Sequence, residues 1–291
     1  MKNPSTTSFA IGICLAITLL APASTIAGTV SPIQSTARPL RLGVVGPVQS
    51  FGSDERAADF QKNVLPKFLQ FVNDNLGERR AIVDVSTIAL DPGQLRLRSD
   101  SEVRAYFVGE GAGYQNSLGF FTSSYDPYAG LKQTDAQLIF PNASSSITYL
   151  ADGQPSGGRT SSAPLLPGDF VDLGALRAGT QINPFLIADG ANRGTTVFTA
   201  DPSRNPDRLQ HFVSLVVLAV KDSPFLLMSV EDLLGGGDRD YNDLVFALDI
   251  GASNVKELVS ATVPLPPAVL ALLGPCLWSV KRLLGSRRLV A

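Results

Sequence analysis

Short segments in which apolar and polar residues alternate fill most of the chain from Ala81 to Ile250, and this pattern restricts the fold more than any other feature. Alternation with a period of two is typical of strands, and turn signals such as Asp91-Pro92-Gly93 separate the segments. No helical pattern lies between them, and the 26 Gly and 20 Pro of the 291 residues favour a turn-rich architecture. The pattern therefore predicts a mainly β fold: an antiparallel β-sandwich, jelly-roll-like, over residues 81–252. The predicted strands lie within 81–90, 94–100, 102–111, 117–123, 136–140, 147–151, 170–176, 183–190, 195–200, 209–220, 224–233 and 243–250.

An N-terminal helical segment precedes the strands at residues 51–80. Ser53 is the expected N-cap, and Gly77 is the expected stop. Pro66 should divide the segment into two helical pieces because it cannot donate a backbone hydrogen bond. Apolar residues recur at a spacing of three and four, which predicts a stripe that faces the core. The stripe comprises Ala57, Phe60, Val64, Phe68, Phe71 and Val72.

The first 27 residues have the pattern of a secretory signal peptide. Lys2 is their only charge, an apolar run extends from Phe9 to Leu20, and the small residues that follow predict cleavage after Ala27, with Ala23 as the alternative. Residues 28–50, rich in Ser, Pro and Gly, are predicted to form an extended lead-in. The sequence thus predicts an exported protein.

The last segment, residues 263–291, combines an uncharged stretch with a basic cluster. Val263 to Val280 carry no charge, and Lys281 and Arg282 follow. This predicts a membrane-sorting helix with the basic end in the cytoplasm, after a linker at 253–262. Val263-Pro264-Leu265-Pro266-Pro267 with the terminal Arg residues resembles a PEP-CTERM sorting signal. That resemblance implies an exosortase-type sorting enzyme as a partner and a Gram-negative cell envelope or extracellular location, whereas a retained C-terminal anchor is the alternative.

Charge and cysteine content exclude some functions. All 26 Asp and Glu residues lie between the two ends, while five of the 24 Lys and Arg residues lie within them. An acidic body argues against nucleic acid as a partner. The only cysteines, Cys14 and Cys276, fall in the hydrophobic ends, so that the domain between them has no disulfide.

The segment from Glu231 to Asp243, EDLLGGGDRDYND, places five carboxylates near three consecutive glycines. These charges are closer together than the screening length of about 8 Å, so they repel one another. Their repulsion has to be compensated by a metal ion, a basic partner or bulk water. Hard oxygen ligands without His or Cys suit Ca²⁺. The loop is not an EF-hand, because Asp243 stands where that loop requires Gly. A solvated turn is the alternative, since Asp and Asn favour turns.

The order of NPFLIADG, FTADPSRNPDRLQHFVSL and VEDLLGGGDRDYNDLVFALDI resembles the domain-of-unknown-function family 4114 over about residues 180–250. The family occurs in exported bacterial proteins and adhesins, and the resemblance implies a calcium-associated surface protein without an established reaction. It also places Asn205, Asp207 and His211 in a motif that precedes the acidic segment. The resulting candidate metal ligands are Glu231, Asp232, Asp238, Asp240, Asn242, Asp243, Asn205 and Asp207.

We expect a binding protein rather than an enzyme. The chain has one His, and a lone His is more often structural or at the surface than catalytic, while the only Trp lies in the tail. The first hypothesis is a structural or adhesive protein in an exopolysaccharide context, stabilised by calcium. The second is a carbohydrate-binding module in which calcium or nearby tyrosines contact exopolysaccharide, and a polysaccharide hydrolase is less favoured. The candidate tyrosines are Tyr106, Tyr114, Tyr125 and Tyr128.

Overall fold

The computed structural model describes residues 33–76, 89–90, 95–122, 135–147, 158–215 and 223–262. The predicted signal peptide and sorting segment lie outside these residues. Gly77, Tyr125, Tyr128 and most of the predicted strand 81–90 also lie outside them. Among the described residues, no helix combines the length and apolar character needed to cross a membrane.

The described residues form ten strands and three α-helices, which confirms the prediction of a mainly β fold. The helices are α1 (Glu55–Asp59), α2 (Leu65–Asn75) and α3 (Ala252–Thr262), with a π-helical turn at Phe60–Val64 and 3-10 turns at Pro39–Arg41, Gly190–Asn192 and Pro202–Arg204. The strands are β1 (Ala89–Leu90), β2 (Ser101–Gly109), β3 (Ser117–Phe121), β4 (Gln137–Phe140), β5 (Phe170–Leu176), β6 (Asn183–Ile187), β7 (Val197–Thr199), β8 (Phe212–Leu215), β9 (Phe225–Val230) and β10 (Leu244–Asp249).

The strands form two antiparallel sheets. One has the order β1-β8-β9-β10-β2-β5, and the other has the order β4-β3-β6-β7. Apolar side chains from both sheets belong to one buried cluster, which includes Phe107 and Phe246 from the first and Phe140 and Phe198 from the second. Burial of these side chains is the main source of stability in a domain without disulfides.

The N-terminal helices cover the other face of the six-stranded sheet. Along β2, Val103, Ala105 and Phe107 belong to the shared core, whereas Tyr106 belongs to the cluster that contains the helices. Phe60 stacks on Tyr106 with ring centroids 3.9 Å apart. The predicted stripe is thus confirmed as core-facing, although Phe71 is only partly buried.

Two details of the helical segment refine the sequence prediction. The N-cap is Asp54, not Ser53, because the Asp54 carboxylate accepts a hydrogen bond from the backbone N–H of Ala57 at 2.7 Å. The segment does contain two α-helical pieces, and Pro66 lies in the first turn of α2, where a missing N–H costs least.

The sequence predicted a linker at 253–262, whereas the structure has helix α3 there. Val255 and Leu258 are buried in the shared core. The Asn254 side chain accepts hydrogen bonds from the N–H groups of Arg98 (2.7 Å) and Ser99 (2.9 Å). These contacts attach α3 to the sheets, so it is part of the domain.

Candidate metal centre

The acidic segment connects β9 to β10, two neighbouring antiparallel strands. Val230 and Leu244 are paired across the two strands, so the residues that follow and precede them, Glu231 and Asp243, start and end the connection side by side. The backbone N–H of Asp232 donates to Asp243 Oδ2 at 2.7 Å. Strand register therefore brings together carboxylates that are separated by twelve positions in the sequence.

Left-handed backbone conformations fold the connection back on itself. The φ angle is positive at Gly235, Gly236 and Gly237 and at the non-glycine residues Arg239 and Tyr241. At Gly237 a Cβ atom would lie 2.1 Å from Glu231 Oε1, so only glycine allows the backbone to approach that carboxylate.

Five of the predicted ligands form two overlapping groups of three carboxylates. One group is Glu231, Asp238 and Asp240, and the other is Glu231, Asp232 and Asp243. Within each group, one oxygen atom from each residue lies within 4.8 Å of the others. Glu231 belongs to both groups and is only 2% exposed.

Burial and mutual repulsion make these carboxyl groups reluctant to ionise. Burial, with the charge of Asp243, raises the pKa of Glu231 to about 8 and that of Asp232 to about 7. Burial also raises the pKa of Asp243. A divalent cation would favour the ionised forms and remove this cost.

Neighbouring amides orient the carboxylates. Asn116 Nδ2 donates to Asp232 Oδ2 at 2.6 Å. Asn242 Nδ2 donates to Asp240 Oδ2 at 2.9 Å and to the carbonyl oxygen of Leu76, the C-cap of α2, also at 2.9 Å. Asn242 therefore joins the loop to the helix, while its side chain also lines the cavity beside the acids.

The structure does not place Asn205 and Asp207 in either carboxylate group. Asn205 is buried, and its Nδ2 donates to the carbonyl oxygens of Thr199 (3.1 Å) and Leu209 (2.8 Å). Asp207 Oδ2 accepts a hydrogen bond from the N–H of Gly235 at 2.8 Å. Asp207 therefore contacts the acidic connection through the backbone of Gly235, whereas the Asn205 amide joins Thr199 to Leu209, outside the connection.

Asp207 also pairs with His211. The Asp207 Oδ2 and His211 Nε2 atoms are 3.0 Å apart, and the imidazole stacks on Phe198 at 3.7 Å. Burial would raise the pKa of Asp207, but hydrogen bonds from Gly235, Leu209 and His211 outweigh it and lower the pKa. His211 is fully buried, as expected for a structural histidine.

Two polar residues near the centre are not among the sequence-predicted ligands. Glu110 follows β2, and burial, together with the charge of Asp243, raises its pKa to about 7. Asn116 precedes β3 and holds Asp232, as described above. The Gly-rich stretch beside Glu110 packs against the connection, since a Cβ at Gly111 would lie 2.5 Å from Asn242 Oδ1.

A cavity of about 330 Å³ opens beside the acidic groups. Its walls come from the 111–114 turn and from the β9–β10 connection. Tyr114, Leu233 and Leu234 are the exposed large hydrophobic side chains of the described residues, at 42%, 42% and 59% exposure, and the first two line the cavity. The cavity thus combines carboxylate oxygens with an accessible apolar rim.

The donor set determines which cation suits the centre. Both groups consist of carboxylates alone, without His or Cys. Hard oxygen ligands of this kind suit cations such as Ca²⁺ or Mg²⁺ rather than Zn²⁺ or Cu²⁺.

Comparison of the chain with curated proteins and with solved structures finds no match. A family model does match, over a region that contains β6 to β10 and the whole acidic connection. Residues 176–251 match the family described as Domain of unknown function (DUF4114), which supports the resemblance of this part of the chain to that family.

Proposed function

We propose that the chain is a calcium-binding β-sandwich protein of the bacterial surface or extracellular matrix, in which calcium stabilises the β9–β10 connection. The observation that carries the proposal is the burial of Glu231 among four aspartate carboxylates. Glu231 Oε2 has no hydrogen-bond donor within the described part of the chain. An unpaired buried carboxylate is costly, and a hard cation is the simplest compensation.

A solvated acidic turn, the main alternative, fits these contacts less well. Water would compensate carboxylates that lie in solvent, but Glu231, Asp232 and Asp240 are each at most 4% exposed. A basic protein partner would have to reach the same buried oxygen atoms. A small cation can do so through the cavity.

Thermal unfolding of the full-length chain in detergent, with and without Ca²⁺, tests the proposal. At a calcium concentration of 100 times Kd, binding to the folded state stabilises it by about 2.7 kcal/mol. Asp238→Asn should reduce this gain, whereas Glu257→Gln on α3, which makes the same charge change at an exposed position, should retain it. Identical melting curves in Ca²⁺ and in EDTA would overturn the proposal.

The surface location is part of the same proposal and rests on the two ends of the sequence. A secreted chain meets millimolar calcium outside the cytoplasm, which suits a weak extracellular site. We propose processing by an exosortase-type enzyme, temporary anchoring in the inner membrane through residues 263–291, and a structural or adhesive, non-enzymatic role beside exopolysaccharide. Fractionation of cells that express wild-type and 1–262 chains tests this, and equal distribution of both would contradict it.

A carbohydrate-binding function is a second candidate, favoured by Tyr114. Its exposed ring lines the cavity beside Asp238 and Asp240, where a sugar could contact both an apolar face and a cation. Tyr106 is unsuitable because it is buried under Phe60. Binding on a glycan array that depends on calcium, persists in Tyr114→Phe and disappears in Tyr114→Ala would support this function. Absence of binding to any glycan would contradict it.

A further inference from the structure

We propose that the centre holds two divalent cations bridged by Glu231, an inference that rests on the proposed calcium function and deepens it. One ion would lie among Glu231, Asp238 and Asp240. The other would lie among Glu231, Asp232 and Asp243. Glu231 would give one carboxylate oxygen to each ion.

Distances within each trio suit a single ion. Calcium binds oxygen at 2.3–2.6 Å, so two ligands of one ion are at most roughly 5 Å apart. The oxygen atoms of each trio satisfy that limit, since they lie within 4.8 Å of one another. The five residues separate into two trios that share only Glu231. One ion therefore does not reach all of them with these side-chain positions.

Glu231 has the features of a bridging carboxylate. Its Oε1 faces the Gly237 backbone, and its Oε2 has no hydrogen-bond partner within the described residues although the side chain is 2% exposed. The backbone N–H of Leu233 also donates to the Glu231 carboxylate, and a carboxylate with about four lone-pair positions can accept that bond and still bind an ion at each oxygen. The backbone of Glu231 is fixed independently, by its hydrogen bond to His211.

Charge balance also favours two ions. The two trios contain five carboxylates, and Arg239 is the only basic residue in the segment 231–243. With Arg239 counted, one divalent cation leaves two of the five negative charges without compensation, whereas two cations leave none. Glu110 adds a further acidic group close to Asp243. Uncompensated charges at this separation repel strongly in a buried site.

The hydrogen bonds already present orient the ligands without using up their oxygen atoms. Asp232 accepts from Asn116, and Asp240 accepts from Asn242. Each ionised carboxylate offers about four lone-pair positions, so these bonds leave room for a cation. One trio thus has a supporting amide on Asn116 and the other on Asn242.

Native mass spectrometry of the full-length chain released from detergent tests the inference by counting bound Ca²⁺. The wild type should bind two ions. Asp238→Asn and Asp232→Asn should each bind one, since each changes a ligand of a different trio, and Glu231→Gln should bind none. Glu257→Gln, the exposed control, should bind two. Far-UV circular dichroism of each variant confirms that it is folded, and Asp243→Asn replaces Asp232→Asn if the latter does not fold.

The outcomes separate the inference from the proposed function. A wild-type chain that binds one ion overturns the two-ion centre and leaves calcium binding intact. A chain that binds none overturns both. Two ions in the wild type, with both retained in Asp238→Asn and Asp232→Asn, would place the ions elsewhere and overturn the assignment to these trios.

Discussion

His211 holds the backbone of Glu231 from two directions. The N–H of Glu231 donates to the carbonyl oxygen of His211 at 2.9 Å, and His211 Nδ1 lies 2.8 Å from the carbonyl oxygen of Glu231. On its other side the imidazole faces Asp207, which in turn accepts from the N–H of Gly235. The single histidine of the chain therefore connects the first residue of the acidic connection with its glycine turn.

Replacement of His211 by Phe should destabilise the protein although a ring is retained. Phe can preserve the stack on Phe198 but makes neither hydrogen bond, so Asp207 and the Glu231 carbonyl each lose a buried partner. The cost is about 1–3 kcal/mol for each group left unsatisfied. Urea denaturation without Ca²⁺ measures it. His211→Ala, which also leaves a cavity, should be less stable than His211→Phe, and wild-type stability in His211→Phe would contradict this role.

Gly237→Ala should weaken calcium binding more than Gly235→Ala. Both glycines have positive φ, at +44° and +85°. Alanine in this left-handed conformation lowers the stability of the folded state by about 1–2 kcal/mol at either position. Only at Gly237 would the new Cβ meet the Glu231 carboxylate, at 2.1 Å, whereas nothing lies within 4 Å at Gly235. Calcium titration by calorimetry should show Kd raised about tenfold or more for Gly237→Ala, equivalent to about 1.4 kcal/mol.

Gly235→Ala is the matched control for that measurement. The Kd of this variant for calcium should stay close to that of the wild type, because the substitution destabilises the turn but does not contact the Glu231 carboxylate. Equal Kd values for the two variants would mean that close contact between Gly237 and Glu231 does not position the ligand.

The strands of the structure lie within predicted segments apart from single end residues, although predicted segment 94–100 holds only an isolated bridge at Arg96 among its described residues. Strand β2, for example, lies within predicted segment 102–111 apart from its first residue, Ser101. The five clustered carboxylates could be predicted because they lie in one connection between adjacent strands. Their proximity depends on local chain direction and on the pairing of Val230 with Leu244, and not on distant contacts.

The parts that were missed depend on long-range packing. Asn116 reaches Asp232 across 116 positions, so no local spacing could identify it. The Asp207 carboxylate contacts His211 and the N–H of Gly235, and its role as a metal ligand stays a prediction. Helix α3 is attached by contacts with residues distant in the sequence, since Asn254 bonds to the backbone of Arg98 and Ser99 across 156 and 155 positions.

Without divalent cations, stability should fall as the pH rises from about 5 to about 8. The pKa of Glu231 is raised to about 8 and that of Asp232 to about 7 in the folded state, against about 4 in an unfolded chain. The folded state therefore binds more protons in this range, so the free energy of unfolding decreases with pH. Urea denaturation of metal-stripped protein at several pH values measures the slope.

Glu231→Gln is the control for the pH dependence, because it removes one titrating group while retaining the shape of the side chain. In this variant the free energy of unfolding should decrease with pH less steeply than in the wild type, by up to about 1.4 kcal/mol per pH unit. Saturating Ca²⁺ should remove this pH dependence, since the ion keeps the carboxylates of the folded state ionised, as they are in the unfolded chain. A wild-type protein whose stability is constant between pH 5 and 8 would show that these groups titrate as solvated acids.

Asn254→Ala should destabilise the domain although the residue lies beyond the region that matches the family model. The Asn254 side chain accepts from the N–H groups of Arg98 and Ser99 and donates to the carbonyl oxygen of Ile250 at 2.7 Å, and it is 1% exposed. Alanine would leave these buried backbone groups without partners, at a cost of about 1–3 kcal/mol for each that water does not reach. Ser253→Ala, at the exposed neighbouring position of the same helix, should change the free energy of unfolding by less than about 0.5 kcal/mol. Urea denaturation compares the two variants, and equal stability would mean that α3 is only loosely attached and that residues 253–262 act as the linker that their sequence suggests.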